Sequence, residues 1–337
     1  MGRPSKERIP RLIVMRTPRQ VKERGSSRDR GDMGYNSVMT ESQATIQLVR
    51  VETADGLFLE GALQRLAQTG PLPVDAFLLL HGTGSNFYAP GVLETFAGQA
   101  LAHGTAVLRI NTRGHDGTCS IPGRKGSVKG GATFERVADC PLDVTAWINW
   151  LAVSGFARIV LVGHSMGGVK AIYSQAYSSH PSVRGIVGIS PPRFAHERLL
   201  TGLHGETFRE EFLRASELVA RGQGDALLSV TQPLPFVATA AGYVEKYGPE
   251  NRYDYVPLLP RVPCAALILI GSESIRTSAA FNGSPEAIAT AAAGQATCVC
   301  EIVEGANINY AGCDKVPFLH AADWLWARAA GNVACIH

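Results

Sequence analysis

The segment Gly163-His164-Ser165-Met166-Gly167 sets a serine between two glycines. An apolar run, RIVLVG, leads into it and a helical stretch, VKAIYSQAYSS, leads out, so the serine falls at a strand-to-helix corner. A turn that sharp crowds the backbone unless the flanking residues are small, and it lifts the hydroxyl above the sheet edge as a nucleophile. The helix that begins there aims its positive end at any oxyanion forming beside Ser165. In a chain with 36 glycines the five-residue pattern alone says little; its place between strand and helix separates it from a serine in an ordinary tight turn. A second segment, AFLLLHGTGSNFY, puts His81-Gly82-Thr83-Gly84 at the end of another apolar run. The Thr83 and Met166 N–H groups together would form a two-donor oxyanion hole for acyl transfer.

These loops need a scaffold, and the chain from about residue 45 supplies one. TIQLVRVET and GLFLEGALQRL flank Asp55-Gly56 as a hairpin. Continuous apolar runs follow at 76–80, 105–110, 158–163, 183–189, 265–271 and 297–303, which suits strands covered on both faces. Helical stretches lie between several of them; VADCPLDVTAWINWLAVSG places Leu142, Trp147, Trp150 and Leu151 near one stripe, and KVPFLHAADWLWARAAG closes the domain. The alternation predicts an α/β fold, a mostly parallel doubly wound sheet, over residues 41–335. Residues 192–260 hold charged helical and Pro-rich sequence without an apolar strand run. So long an interval between strands predicts an inserted cap over the carboxyl edge of the sheet.

The elbow, the HGTG loop and a third loop, INTRGHDG, together resemble the α/β-hydrolase superfamily, in particular small bacterial esterase, lipase and serine-aminopeptidase-like members, over roughly residues 45–330. The resemblance implies a triad in the order Ser, acid, His. The acid belongs after the run AALILI, where Glu273 is the carboxylate of GSES; members more commonly carry it one residue later, at Ser274 here. Glu273 is therefore either the acid with a small shift or a surface turn residue. The histidine belongs where this chain reads Gly305-Ala306-Asn307-Ile308. Only His320, inside the final helix, and His337, the last residue, follow Glu273, and His320 is the remaining candidate base. His81 and His115 are expected to shape loops, and His164 to point into the interface between sheet and helix.

The implied function is a serine hydrolase acting on an acyl ester, thioester or amide through an acyl-enzyme at Ser165. The alternative is a diverged member that binds a carbonyl ligand or does lyase-like chemistry without hydrolysis, because a serine without a base keeps its proton. No motif calls for a metal or organic cofactor, and the expected partner is a small acyl substrate.

Composition sets the remaining bounds. Hydrophobic residues make up 45% and charged residues 18%, as in a soluble globular protein, and no apolar run is long enough to span a membrane. The net charge of +3 is uneven: residues 1–38 hold ten Lys or Arg against four Asp or Glu, so the rest of the chain is mildly acidic. Residues 1–40 read as a disordered basic tail. A basic arm can grip nucleic acid, but no aromatic platforms are interleaved, so no nucleic acid is expected. Seven scattered cysteines without a signal-peptide core indicate a reducing, cytoplasmic setting. Cys298 and Cys300, two apart in a strand, are expected to be buried hydrophobes and not half of a metal site.

Overall fold

The computed structural model describes residues 45–293 and 297–331, so the basic tail lies outside the described residues. Strands β1 (Thr45–Glu52) and β2 (Phe58–Arg65) form the antiparallel hairpin, with Glu52 opposite Phe58 and Gly56 in the turn at φ 86°. Next come β3 (Ala76–Leu80), α1 (Val92–Ala102) and β4 (Ala106–Ile110), then a small hairpin of β5 (Cys119–Ile121) and β6 (Val128–Gly130). Helix α2 (Cys140–Val153) leads to β7 (Ile159–His164), α3 (Met166–Tyr177) and β8 (Val183–Ile189). After β8 the chain forms α4 (His196–Thr201), α5 (Gly205–Ala220), a hairpin of β9 (Leu227–Val230) and β10 (Phe236–Thr239), and α6 (Ala240–Tyr247). It returns through β11 (Ala265–Gly271), α7 (Ser272–Thr277), α8 (Ser284–Ala291), β12 (Cys298–Val303) and α9 (Val316–Ala329).

Eight strands make one sheet in the order β1-β2-β4-β3-β7-β8-β11-β12. From β4 to β12 every pairing is parallel; β1, β2 and β4 pair antiparallel at the other edge. β3 and β11 are buried at every residue, because helices cover both faces and each strand can be apolar throughout. On one face, Phe77 of β3, Phe96 of α1 and Phe318 of α9 pack edge to face, with ring centroids 5.2 to 6.5 Å apart. On the other, α2 and α3 cover the sheet. The buried stripe of α2 is Cys140, Asp143, Val144, Trp147, Ile148 and Leu151, while Leu142 and Trp150 are only partly buried. Trp147 lies so close to β2 that a side chain at Gly61 would come within 2.9 Å of its ring, and its Nε1–H donates to the Asn111 carbonyl at 3.0 Å.

The interval between β8 and β11 adds no strand to this sheet. It does contain strands, the β9–β10 hairpin, whose four-residue members are too short and too half-exposed to produce an apolar run. Cys298 and Cys300 are partly buried on one face of β12, and burial pushes their thiols up to about 11 and about 12.

Candidate active site

Ser165 caps α3 with φ 52° and ψ −123°, a conformation rare for a residue with a side chain. Two contacts explain why the chain tolerates it. The Ser165 N–H donates to the Ile189 carbonyl at 2.8 Å, and the flanking glycines let backbones meet. A β-carbon on Gly163 would fall 2.2 Å from the Gly167 carbonyl carbon, and one on Gly167 would fall 2.1 Å from the Leu80 oxygen. The elbow is therefore wedged against the end of β3, the strand that launches the Thr83 loop. A β-carbon on Gly82 would lie 3.3 Å from Ser165 Cβ, so this loop runs directly beside the serine. Met166, as first residue of α3, has an N–H with no acceptor inside the helix.

The loop carrying Thr83 is held from below by buried polar contacts. The Thr112 N–H donates to His81 Nε2 at 3.2 Å, so the opposite nitrogen, Nδ1, carries the proton and donates to the Gly82 carbonyl at 2.8 Å. Burial, with Lys170 nearby, lowers the His81 pKa to about 3, so the ring is neutral. Thr112 also accepts from Lys170 Nζ at 2.9 Å, and Lys170 pairs with buried Glu135. The next residue, Arg113, is locked to Asp143 of α2 through its backbone N–H at 2.8 Å and its guanidinium at 2.7 Å. Asn111 Oδ1 accepts from the Phe87 N–H at 3.0 Å, and Asp116, itself paired with His115, accepts from Asn86 at 2.7 Å. His81 and His115 thus sit in loop-building bonds.

A cavity of about 430 Å³ opens over the elbow, lined by Ser165, His164, Gly82 and Thr83 and walled by Phe87, Pro90, Leu93, Ile110, Leu234 and Ile308. Leu234 is the contribution of the interval between β8 and β11. A model of the alpha/beta hydrolase family matches residues 77–328. The chain belongs to the alpha/beta hydrolase family. Among solved structures it is similar to the alpha/beta hydrolase GrgF of Penicillium sp. sh18, at 15% identity and TM-score 0.59 over 84% of this chain and 98% of that one. The Est1E protein of Butyrivibrio proteoclasticus, solved with ferulic acid, is 14% identical at TM-score 0.58 over 84% and 100% of the two chains. An esterase of Pyrococcus furiosus is 16% identical at TM-score 0.52 over 90% and 95%. No curated protein sequence matches the chain.

The far side of this alpha/beta hydrolase site departs from the expected triad. The turns after β11 and β12 do meet, through the Glu273 N–H and the Ala306 carbonyl at 3.0 Å. Yet the Glu273 carboxylate lies at the surface and pairs with Arg276 one helical turn away, while Ser274 is the buried residue of that turn. His320 pairs with Glu301 on the outer side of β12. Neither Glu273 nor His320 lines the cavity; Glu273 was expected from the position the resemblance implies for the acid, and His320 only as a remaining histidine. The 304–312 loop is shaped by Asn307, whose Oδ1 accepts from the Asn309 N–H at 2.9 Å, and is anchored by buried Tyr310 beside Ser190. Ile308 sits at its tip, facing the serine's cavity.

His164 corrects the sequence expectation. It lines the cavity, and its Nε2 bonds the Ile308 carbonyl at 2.8 Å, across 144 residues. A carbonyl can only accept, so Nε2 carries the proton and Nδ1 keeps the lone pair. Burial holds the His164 pKa below its usual value, which keeps the ring neutral. No hydrogen bond joins Ser165 Oγ to any described residue.

Arg109 was passed over as part of an apolar run. It projects from β4 into the same cavity, where its Nη2 donates to the Ala89 carbonyl at 2.7 Å. The available signal was a charge inside a strand whose neighbours are all apolar. Such a residue must reach either a partner or a polar space.

No helix among the described residues is long and apolar enough to cross a membrane. Among them there is also no group of three or more His, Cys, Asp or Glu arranged to hold a metal ion.

Proposed function

We propose that the chain cleaves an acyl ester, thioester or amide of small size, with Ser165 as nucleophile and the Thr83 and Met166 N–H groups holding the oxyanion. The observation that carries this is the elbow itself: a serine held at positive φ, over a cavity, at the head of a helix. Attack by Oγ on the carbonyl carbon gives a tetrahedral oxyanion; its collapse expels the alcohol, thiol or amine and leaves an ester on Ser165, which water then hydrolyses. The esterases among structures of this fold are the reason to try esters first.

For the proton of Ser165 we assign His164 Nδ1. It is neutral, it keeps its lone pair, and the other imidazole of the cavity, His81, has both nitrogens engaged. A peptide carbonyl orients His164 where the family uses a carboxylate, and a carbonyl stabilises an imidazolium less. Slow turnover is accordingly the expected outcome. A second reading is favoured by the lack of any partner for Ser165 Oγ among the described residues: a protein that binds a carbonyl compound, or does lyase-like chemistry, without forming an acyl-enzyme.

A fluorophosphonate probe with mass-spectrometric mapping separates the two. Labelling of Ser165 that is lost in Ser165→Ala and slowed in His164→Asn is the expected result. Absence of labelling over hours, with a folded protein, would leave the second reading standing.

A further inference from the structure

We infer that Arg109 selects substrates carrying a second, free carboxylate, so that the acyl compound cleaved at Ser165 is a half-ester, half-thioester or half-amide of a short dicarboxylic acid. This rests on the acyl-transfer reading above and deepens it. The cavity holds one permanent charge, the Arg109 guanidinium, and no aspartate or glutamate lines it. Among the described residues, two other arginines set below the surface are satisfied by carboxylates: Arg113 by Asp143 and Asp55, and Arg193 by Asp254. Arg109 forms no ion pair with any described residue. Glu94, in the first turn of α1, acts on it electrostatically without bonding it.

One of its five N–H donors serves the Ala89 carbonyl. The remainder of the planar fork suits a carboxylate, which accepts two parallel N–H bonds. Burial opposes the charge, which is a cost the protein bears at a wall otherwise built of Leu79, Pro90, Val92 and Leu93. An anionic ligand group arriving there would remove that cost. The acyl chain would then lie along the apolar wall, with its reactive carbonyl at Ser165 and its free carboxylate at Arg109.

The test compares 4-nitrophenyl hydrogen glutarate with 4-nitrophenyl valerate, which match in length but differ in charge. Wild type is expected to favour the anionic ester in kcat/KM by about tenfold to a hundredfold, mostly through KM. Arg109→Gln should collapse that ratio and Arg109→Lys should keep part of it. In parallel, glutarate, adipate and inorganic phosphate are titrated into Ser165→Ala while its melting temperature is followed. Saturable stabilisation by a dicarboxylate, weaker for phosphate and lost when Arg109→Gln is added, is the expected result. Equal rates for the two esters with no dicarboxylate stabilisation overturn the inference and leave the hydrolase standing. Stabilisation without hydrolysis of either ester overturns the hydrolase and leaves Arg109. Equal stabilisation by phosphate overturns the carboxylate assignment. If Arg109→Gln does not fold, the wild-type ratio and the Ser165→Ala titrations decide alone.

Discussion

The two ends of the site are built differently. Under Thr83 and Ser165 every loop is tied to the core by buried polar groups: Thr112 to His81, Arg113 to Asp143, Lys170 to Glu135. Beyond them, after β11 and β12, the positions where the resemblance implies the activating side chains hold a half-buried Glu273 paired to its neighbour on α7, a buried Ser274 and an apolar Ile308. On the proposed reading, the loops that would hold a developing oxyanion are firmly supported, whereas the group proposed to remove the proton is one imidazole leaning on a peptide carbonyl. Oxyanion stabilisation and binding can outlast the loss of a triad member, at about 10³–10⁴-fold over water.

The largest way to break the first end is Asp143→Ala. It leaves the buried Arg113 guanidinium with Asp55 and Asp139 at its outer side and orphans the Arg113 N–H. The expected loss is about 3–5 kcal/mol, the range for removing one partner of a buried pair, read by urea unfolding. A loss under about 1 kcal/mol would show that the loop does not depend on this anchor.

His81 gives the same end a pH dependence. Unfolded, the ring takes up a proton near its ordinary value of 6.5; folded, it resists until about 3. Between those values the unfolded chain binds more protons, so stability is complete above pH 6.5 and is lost as pH falls toward 3. This site alone contributes a slope of ~1.4 kcal/mol per pH unit there. Melting temperatures of wild type and His81→Asn from pH 7 to 4 should show a shallower dependence in the variant. Parallel curves would mean that other groups control acid stability.

Ile308→His sharpens the comparison from the other end. Its side chain already faces the cavity of Ser165, so an imidazole there would enter the same space as the serine, at the position where the resemblance implies a histidine. The hydrolysis rate for an activated ester should rise about tenfold to a hundredfold, below the full 10²–10⁴ of a positioned base, because no carboxylate waits behind it. The rise should follow a pH profile climbing near pH 6.5. An unchanged rate would mean that His164 already does what the fold permits, or that the loop turns the new ring away.

How much of this was legible in the sequence follows the same division. The runs at 76–80, 183–189 and 265–271 are strands β3, β8 and β11 to the residue; burial on both faces makes β3 and β11 apolar throughout, and β8 is interrupted only by exposed Arg184 at its start. The elbow was legible because only glycine survives a 2.1 Å approach to a carbonyl. Hairpins β5–β6 and β9–β10 were not, being three or four residues long and half exposed. The direction of His164 was illegible for another reason: it is fixed by a carbonyl 144 residues away, and no local pattern encodes that contact. Arg109 was hidden by its own neighbours, whose apolarity defines the strand.

The smallest expected effect is also the most direct check on the second end. Glu273 is bonded to Arg276, and that side chain is 70% exposed, so water screens the pair and its removal costs little. His320 and Glu301 form a comparable pair over β12, outside the cavity. Glu273→Ala and His320→Ala should each change stability by less than about 0.5 kcal/mol and leave ester hydrolysis within about twofold of wild type. An acid or base that acted on Ser165 would show a far larger loss, since knocking out a triad member costs orders of magnitude in kcat. If either variant abolished turnover while folding normally, the 272–277 or 316–329 segment would have to move so as to bring that side chain to the serine. The contrast between a supported nucleophile and a dismantled activator would then describe only the resting protein. If both variants behave as wild type, the proton must leave Ser165 by a group already in the cavity, and His164→Asn becomes the substitution that decides.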